Sequence, residues 1–148
     1  MTRGPVDLKI VGDRLGIVRK CLEDLRRLPV AGLVEFESDF RNPATAESLL
    51  RRAIEAALDT ARHLLARGHG FAALEYREVA RQSTERGLIE DANVGKRFLA
   101  IAGFRNRLTH FYDEVTPGEL FGILTTELPD LEQICEELRR AASRLAGS

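Results

Sequence analysis

Asn42-Pro43-Ala44-Thr45-Ala46-Glu47-Ser48-Leu49-Leu50-Arg51-Arg52-Ala53-Ile54-Glu55-Ala56-Ala57-Leu58-Asp59-Thr60-Ala61-Arg62-His63-Leu64-Leu65-Ala66-Arg67-Gly68 is the stretch that decides the fold. Leu50, Ala53, Ile54, Ala57, Leu58, Ala61 and Leu65 fall on one face when the segment is wound as a helix. Asn42 reads as the N-cap and Pro43 as the first helical residue, while Gly68 and Gly70 stop the helix. A second face carries Arg52, Glu55, Asp59 and His63, spaced three, four and four apart. The expectation for that row is a solvated face with intrahelical ion pairs. The alternative is that it faces a basic segment across the bundle.

Upstream, Leu8, Val11, Leu15, Val18, Leu22 and Leu25 form the stripe of an amphipathic helix that Pro29 and Gly32 end. Its heptad-like spacing suits a neighbouring helix or a second subunit. Leu33 to Phe40 reads as a short mixed segment with at most a helical turn. Downstream, a third helix is expected from Phe71 to Arg86, with Phe71, Leu74 and Val79 inward, ended by Gly87; Tyr76 fits core or surface. A fourth starts near Glu90 or Asp91 and carries Val94, Phe98, Ile101, Ala102 and Phe104 on its apolar positions. Gly95 and Gly103 each cost it roughly 1 kcal/mol relative to alanine, and they read as points of close backbone approach. It runs into Arg105 and Asn106, then frays across Thr109 to Val115. Thr116-Pro117-Gly118-Glu119 is a capping-box start. The last segment carries Leu120, Phe121, Leu124, Leu128, Leu131, Ile134, Cys135, Leu138 and Leu145, kinked or divided at Pro129. No strand pattern or repeat appears. The fold class expected is all-α: one domain over residues 1–148, an up-and-down bundle of about five helices.

Composition agrees. The chain is 44% hydrophobic and 30% charged, with no Trp, as expected of an ordinary globular protein rich in helix formers. No apolar run approaches the roughly 18 residues a membrane span needs. The start, Met1-Thr2-Arg3-Gly4-Pro5-Val6-Asp7, meets charge too early for a signal peptide, so a cytoplasmic protein with no membrane association is expected. Cys21 and Cys135 read as small buried hydrophobes. His63 and His69 read as surface or packing residues, since no second ligand stands at suitable spacing; no metal or cofactor is expected. From Asp113 onward there are eight acids and three arginines, a solvated face that could also offer a docking surface to a basic partner.

The chemistry concentrates in Gly103-Phe104-Arg105-Asn106-Arg107-Leu108-Thr109-His110-Phe111-Tyr112. It closes a run, Ala92 to Tyr112, with four basic side chains and no carboxylate in a chain of net charge −1. An arginine binds phosphate bidentately at any physiological pH, and a histidine takes or gives a proton near neutrality. Those parts suffice for metal-independent RNA cleavage: a base activates the ribose 2′-OH while a fixed cation stabilises the pentacovalent phosphate. An arginine and a histidine near a helix end also commonly serve as an ion pair with a carboxylate and a helix cap, and on the residues alone that structural reading is favoured.

The Arg105-x4-His110-x-Tyr112 arrangement, with Asn106 directly after the arginine, resembles the motif of HepT-like proteins in the HEPN superfamily. The likeness extends to the charged helix Arg52 to His63, to Tyr76-Arg77-Glu78-Val79, to Arg86-Gly87-Leu88-Ile89, and to the closing helix Leu120 to Leu131. It departs at Ser83, where an apolar residue is expected. The resemblance implies a homodimeric ribonuclease toxin of a type II toxin–antitoxin system, acting on RNA with tRNA as a candidate. It also implies a minimal nucleotidyltransferase antitoxin as partner. Arg105 and His110 would be catalytic, with Asn106 assisting and the two copies forming one composite cleft. Tyr112 matches the tyrosine that the partner modifies with AMP. Lys96, Arg97 and Arg107 are the expected RNA-steering cations. The competing expectation is a non-catalytic nucleotide- or substrate-binding subunit of a two-component nucleotidyltransferase.

Overall fold

The computed structural model describes residues 4–73 and 75–147. Among them every regular element is helical: α1 (Leu8–Leu25), α2 (Leu33–Glu37), α3 (Arg41–His69), α4 (Tyr76–Glu85), α5 (Ala92–His110), a 3-10 turn (Tyr112–Glu114), α6 (Pro117–Thr126) and α7 (Leu128–Ala146). The expected five long helices become seven because α2 is a single short turn of helix and the last segment divides. Its break falls between Thr126 and Leu128, which leaves Pro129 in the first turn of α7, where its missing N–H costs nothing.

The long helix α3 is the axis of the bundle, with α1, α4, α5, α6 and α7 all packed against it. Leu50, Ala53, Ile54, Ala57, Leu58, Ala61 and Leu65 are buried as the spacing requires, joined by Ala46 and Leu64. Its start is two residues earlier than expected, with Arg41 rather than Pro43 as the first helical residue. Asn42 is not the cap, because its side chain donates to the Phe36 carbonyl at 3.2 Å, and Asp39 instead accepts the Arg41 N–H at 3.0 Å. Its end is Gly70, left-handed at φ 66, with the Phe71 N–H turned back to Leu65 at 2.9 Å. Gly68 stays inside the helix; a β-carbon there would meet Leu145 Cδ1 at 2.6 Å.

The stripe of α1 is used inside the chain. Val11, Val18, Cys21, Leu22 and Leu25 are buried against α3 and α7, while Leu8 remains exposed. Asp7 caps this helix, accepting the N–H groups of Lys9 and Ile10.

The third helix departs most from expectation. Residues 71–73 and 75 are not helical, and α4 begins only at Tyr76. Gly70 has turned the chain, Ala73 is buried, and the Phe71 ring packs under the Arg86 guanidinium at 4.3 Å. Leu74, expected inward, lies outside the described residues, as do Met1 to Arg3. Ser83 is fully buried, and its hydroxyl donates to the Val79 carbonyl at 2.7 Å, so the polar residue is accommodated without an unpaired donor.

Asp91 caps α5, accepting from Asn93 and Val94. The buried Glu137 of α7 accepts the Glu90 N–H at 2.7 Å and the Asp91 N–H at 3.3 Å, which fixes where α5 starts. Thr116 caps α6 as expected, but the reciprocal half of the capping box is absent: the Glu119 carboxylate is held by Arg107. No helix among the described residues is long and apolar enough to cross a membrane.

Candidate active site

The helix α5 does not fray at Thr109 but holds to His110. Leu108 is buried, the Phe111 N–H reaches the Arg107 carbonyl at 2.9 Å, and helical backbone continues through His110. Arg105 and His110 therefore stand on one continuous helix, about 140° apart around the axis and ~7.5 Å along it. They line the same cleft of about 720 Å³, together with Arg62, Glu75, Tyr76, Arg77, Gly103, Asn106, Arg107 and Phe111. Four arginines and a histidine on one open cleft suit a polyanion rather than an apolar ligand.

Arg105 is held from behind. Its Nε and Nη2 donate to one carboxylate oxygen of Glu55, at 2.9 and 2.7 Å, and its Nη1 donates to Asn106 at 3.4 Å. The guanidinium carbon stands 4.7 Å from the centroid of the Tyr76 ring, as does that of Arg62. The Tyr76 hydroxyl in turn donates to Asp59 at 2.7 Å. Burial first, and then that bond, push the Tyr76 phenol up to about 12. Two members of the polar row on α3, Glu55 and Asp59, thus turn toward α4 and α5, which is the alternative rather than the expected reading. Intrahelical pairs coexist with this, Arg51 with Glu55 at 3.3 Å and Arg62 with Asp59 at 3.5 Å. Arg52 stays exposed. His63 accepts the backbone N–H of Asp7 at 3.0 Å, a structural role.

His110 is exposed in the last turn of α5, and Tyr112, 60% exposed, follows it in the 3-10 turn beside Asp113 and Glu114. Of the three expected steering cations, only Arg107 lines the cleft, and it is paired with Glu119, Nη2 to carboxylate oxygen 3.0 Å. Lys96 lines the adjoining apolar groove with Leu99, Phe104 and Ile123. Arg97 is tied to α7 through Gln133 at 2.8 Å and Asp130 at 3.5 Å, outside the cleft.

Sequence reasoning does not single out Arg62 or Arg77, and it leaves Tyr76 undecided between core and surface. The one signal is the polar row on α3, whose partner only the packing reveals. Both thiols are unpaired; burial raises that of Cys21 and pushes that of Cys135 up to about 12, so neither is a poised nucleophile. Among the described residues, no group of three or more His, Cys, Asp or Glu side chains is placed to hold a metal ion.

Comparison with known proteins agrees on one family. The family model described as "Ribonuclease HepT-like" matches residues 18–138. The curated "tRNA nuclease HepT" of Aphanizomenon flos-aquae (strain 2012/KM1/D3) is 27% identical over 116 residues, 76% of each chain. Among solved structures, the tri-AMPylated Shewanella oneidensis HEPN toxin in complex with MNT antitoxin matches with a TM-score of 0.79 at 20% identity, over 88% of this chain and 97% of that one. A toxin–antitoxin structure with AMP-PNP matches at 0.76 and 20% identity, over 87% and 97%. At such identities these two likenesses speak for the fold.

Proposed function

The chain belongs to the ribonuclease HepT-like family, and on that premise we propose that it is the RNA-cleaving toxin of a toxin–antitoxin pair, with His110 and Arg105 as its catalytic residues. The observation that carries this reading is that Arg105, Asn106 and His110 meet at one cationic cleft, with two guanidinium N–H groups of Arg105 left over after its bonds to Glu55 and Asn106. His110 accepts the proton of the ribose 2′-OH. That oxygen attacks the adjacent phosphorus, and the bond to the 5′-oxygen breaks. Arg105 meets the negative charge that builds on the phosphorane, and the leaving oxygen takes a proton. One imidazole cannot face both oxygens at once. A second copy of the chain, bringing its own His110 to a composite cleft, supplies the acid. The tRNA named for the curated relative is the candidate substrate, and no step requires a metal.

Tyr112 is the proposed modification site. Its hydroxyl attacks the α-phosphorus of ATP on a nucleotidyltransferase antitoxin, pyrophosphate leaves, and the attached AMP places negative charge beside the cleft where RNA phosphates would lie. Arg107 helps to guide RNA, and Lys96 and Arg97 act at longer range. The pair works in the cytoplasm.

The test is cleavage of total RNA and tRNA by purified protein in EDTA. The wild type cleaves, and His110→Ala lowers the rate by about 10²–10⁴-fold, the usual worth of a general acid–base. Intact RNA with the wild type, or equal cleavage by His110→Ala, would refute the reading. Light scattering at micromolar concentration should report a dimer; a monomer rules out the composite cleft.

A further inference from the structure

We propose that Glu55 is the positioning residue of the cleavage reaction, holding the Arg105 guanidinium at one angle to the cleft; this deepens the functional reading above and rests on it. A single Glu55 oxygen takes both Nε and Nη2 of Arg105, at 2.9 and 2.7 Å, so rotation about the last bonds of the arginine is blocked. The Tyr76 ring, tethered to Asp59 at 2.7 Å, supplies a surface under the guanidinium at 4.7 Å. The clamp thus joins three elements: α3 gives Glu55 and Asp59, α4 gives Tyr76, and α5 gives Arg105. Arg105 lines the cleft and Glu55 does not, so Glu55 acts on the substrate only through the arginine. Both side chains are largely withdrawn from water, 20% and 24% exposed, which strengthens the pair relative to an open surface bridge.

The clamp has two opposed consequences, and they make it testable. A transition-state donor works best when it is already in place, because its reorganisation then costs nothing at the moment of reaction. The carboxylate also subtracts one positive charge close to a site that binds phosphate. Removing it should therefore slow chemistry while leaving RNA binding unchanged or tighter. A residue needed only for folding would not separate the two in that direction.

The experiment measures single-turnover cleavage and RNA affinity for the wild type, Glu55→Ala, Glu55→Gln and Arg105→Ala, and for Glu55→Ala in the Arg105→Ala background. Thermal melting and dimer mass serve as controls. Glu55→Ala is expected to lose on the order of 10²-fold in rate, the usual effect of misplacing a catalytic group, with RNA Kd equal to or below the wild-type value. Glu55→Gln keeps an acceptor oxygen and should recover about ten-fold of that loss. In the Arg105→Ala background the Glu55 substitution should change nothing, since its effect passes through the arginine.

Wild-type rate in Glu55→Ala, a parallel rise in Kd, no recovery in Glu55→Gln, or full additivity with Arg105→Ala would each overturn the proposal. Should Glu55→Ala not fold, Glu55→Asp is the second variant. It keeps the charge but is one methylene too short to hold Nε and Nη2 together. A loss of rate supports the clamp, and wild-type activity refutes it. A wild type that leaves RNA intact sinks the functional reading itself. A wild type that cleaves, fails on Arg105→Ala and is indifferent to Glu55 sinks this inference alone.

Discussion

His63 docks the amino-terminal segment onto α3 through its Nε2, which accepts the Asp7 N–H at 3.0 Å. An acceptor nitrogen must be unprotonated, so the contact exists only with neutral imidazole. Burial, then the positive charges of Arg14 and Arg67, hold the His63 pKa below its ordinary 6.5, against a smaller opposing pull from Asp7. The folded-state pKa is lowered, so the unfolded chain binds the proton first as pH falls. The stabilisation is complete above about 6.5 and is lost as pH drops through the folded value. Between about pH 7 and pH 5 the wild type should lose more stability than His63→Gln, whose amide oxygen accepts at either pH. Urea denaturation at the two pH values checks this; identical losses in the two proteins would discard the assignment.

At the scale of elements, α4 and α5 come together at Gly95, where a methyl group would collide with Thr84 Oγ1 and stand 3.2 Å from its Cγ2. Threonine is stiff at χ1 and cannot easily turn away. Gly95→Ala should cost about 1–3 kcal/mol in overpacking, offset by the roughly 1 kcal/mol that alanine gains in a helix, and Thr84→Ala in the same chain should return most of the overpacking. Denaturant midpoints for the two single variants and the pair decide the matter. Gly103, read by the same rule as a close approach, has no atom within 4 Å of the place a β-carbon would take, and it lies open on the cleft. The sequence marks both glycines as weak points of a helix, but it cannot say which of them faces a neighbour. Caps show the same division. Asp91 and Thr116 are legible because each satisfies backbone donors two or three residues away. The start of α3 is not, because Asn42 is claimed by the Phe36 carbonyl, a contact made by the turn at α2. The site divides likewise. The Arg105 to His110 spacing stands in the sequence, whereas Glu55 has a local partner in Arg51 and a remote one in Arg105, and only packing shows that it takes both.

Across the whole molecule 22 basic and 23 acidic side chains nearly cancel, and many of them cancel in place. Arg26 with Glu132, Arg97 with Asp130, Arg144 with Glu90 and Arg107 with Glu119 tie separate elements together. Exposed pairs of this kind add little stability each, but they lessen the pull of those arginines on a polyanion. Arg77 is different: it is exposed on α4, lines the cleft beside Arg105 and His110, and has no carboxylate partner among the described residues. RNA affinity should therefore depend on few phosphate contacts, with Arg77 prominent among them. Each contact to a single strand contributes about 0.7 to the slope of log affinity against log salt. Arg77→Ala should flatten that slope by about 0.7 and weaken binding evenly across RNA sequences, as loss of a phosphate contact does. Arg97→Ala, whose cation is tied to α7 outside the cleft, should flatten the slope much less. Fluorescence anisotropy over a salt series, in a His110→Ala background so that the RNA stays whole, reads both slopes. Equal flattening by the two substitutions would mean that RNA follows the outer face of α5 instead of the cleft.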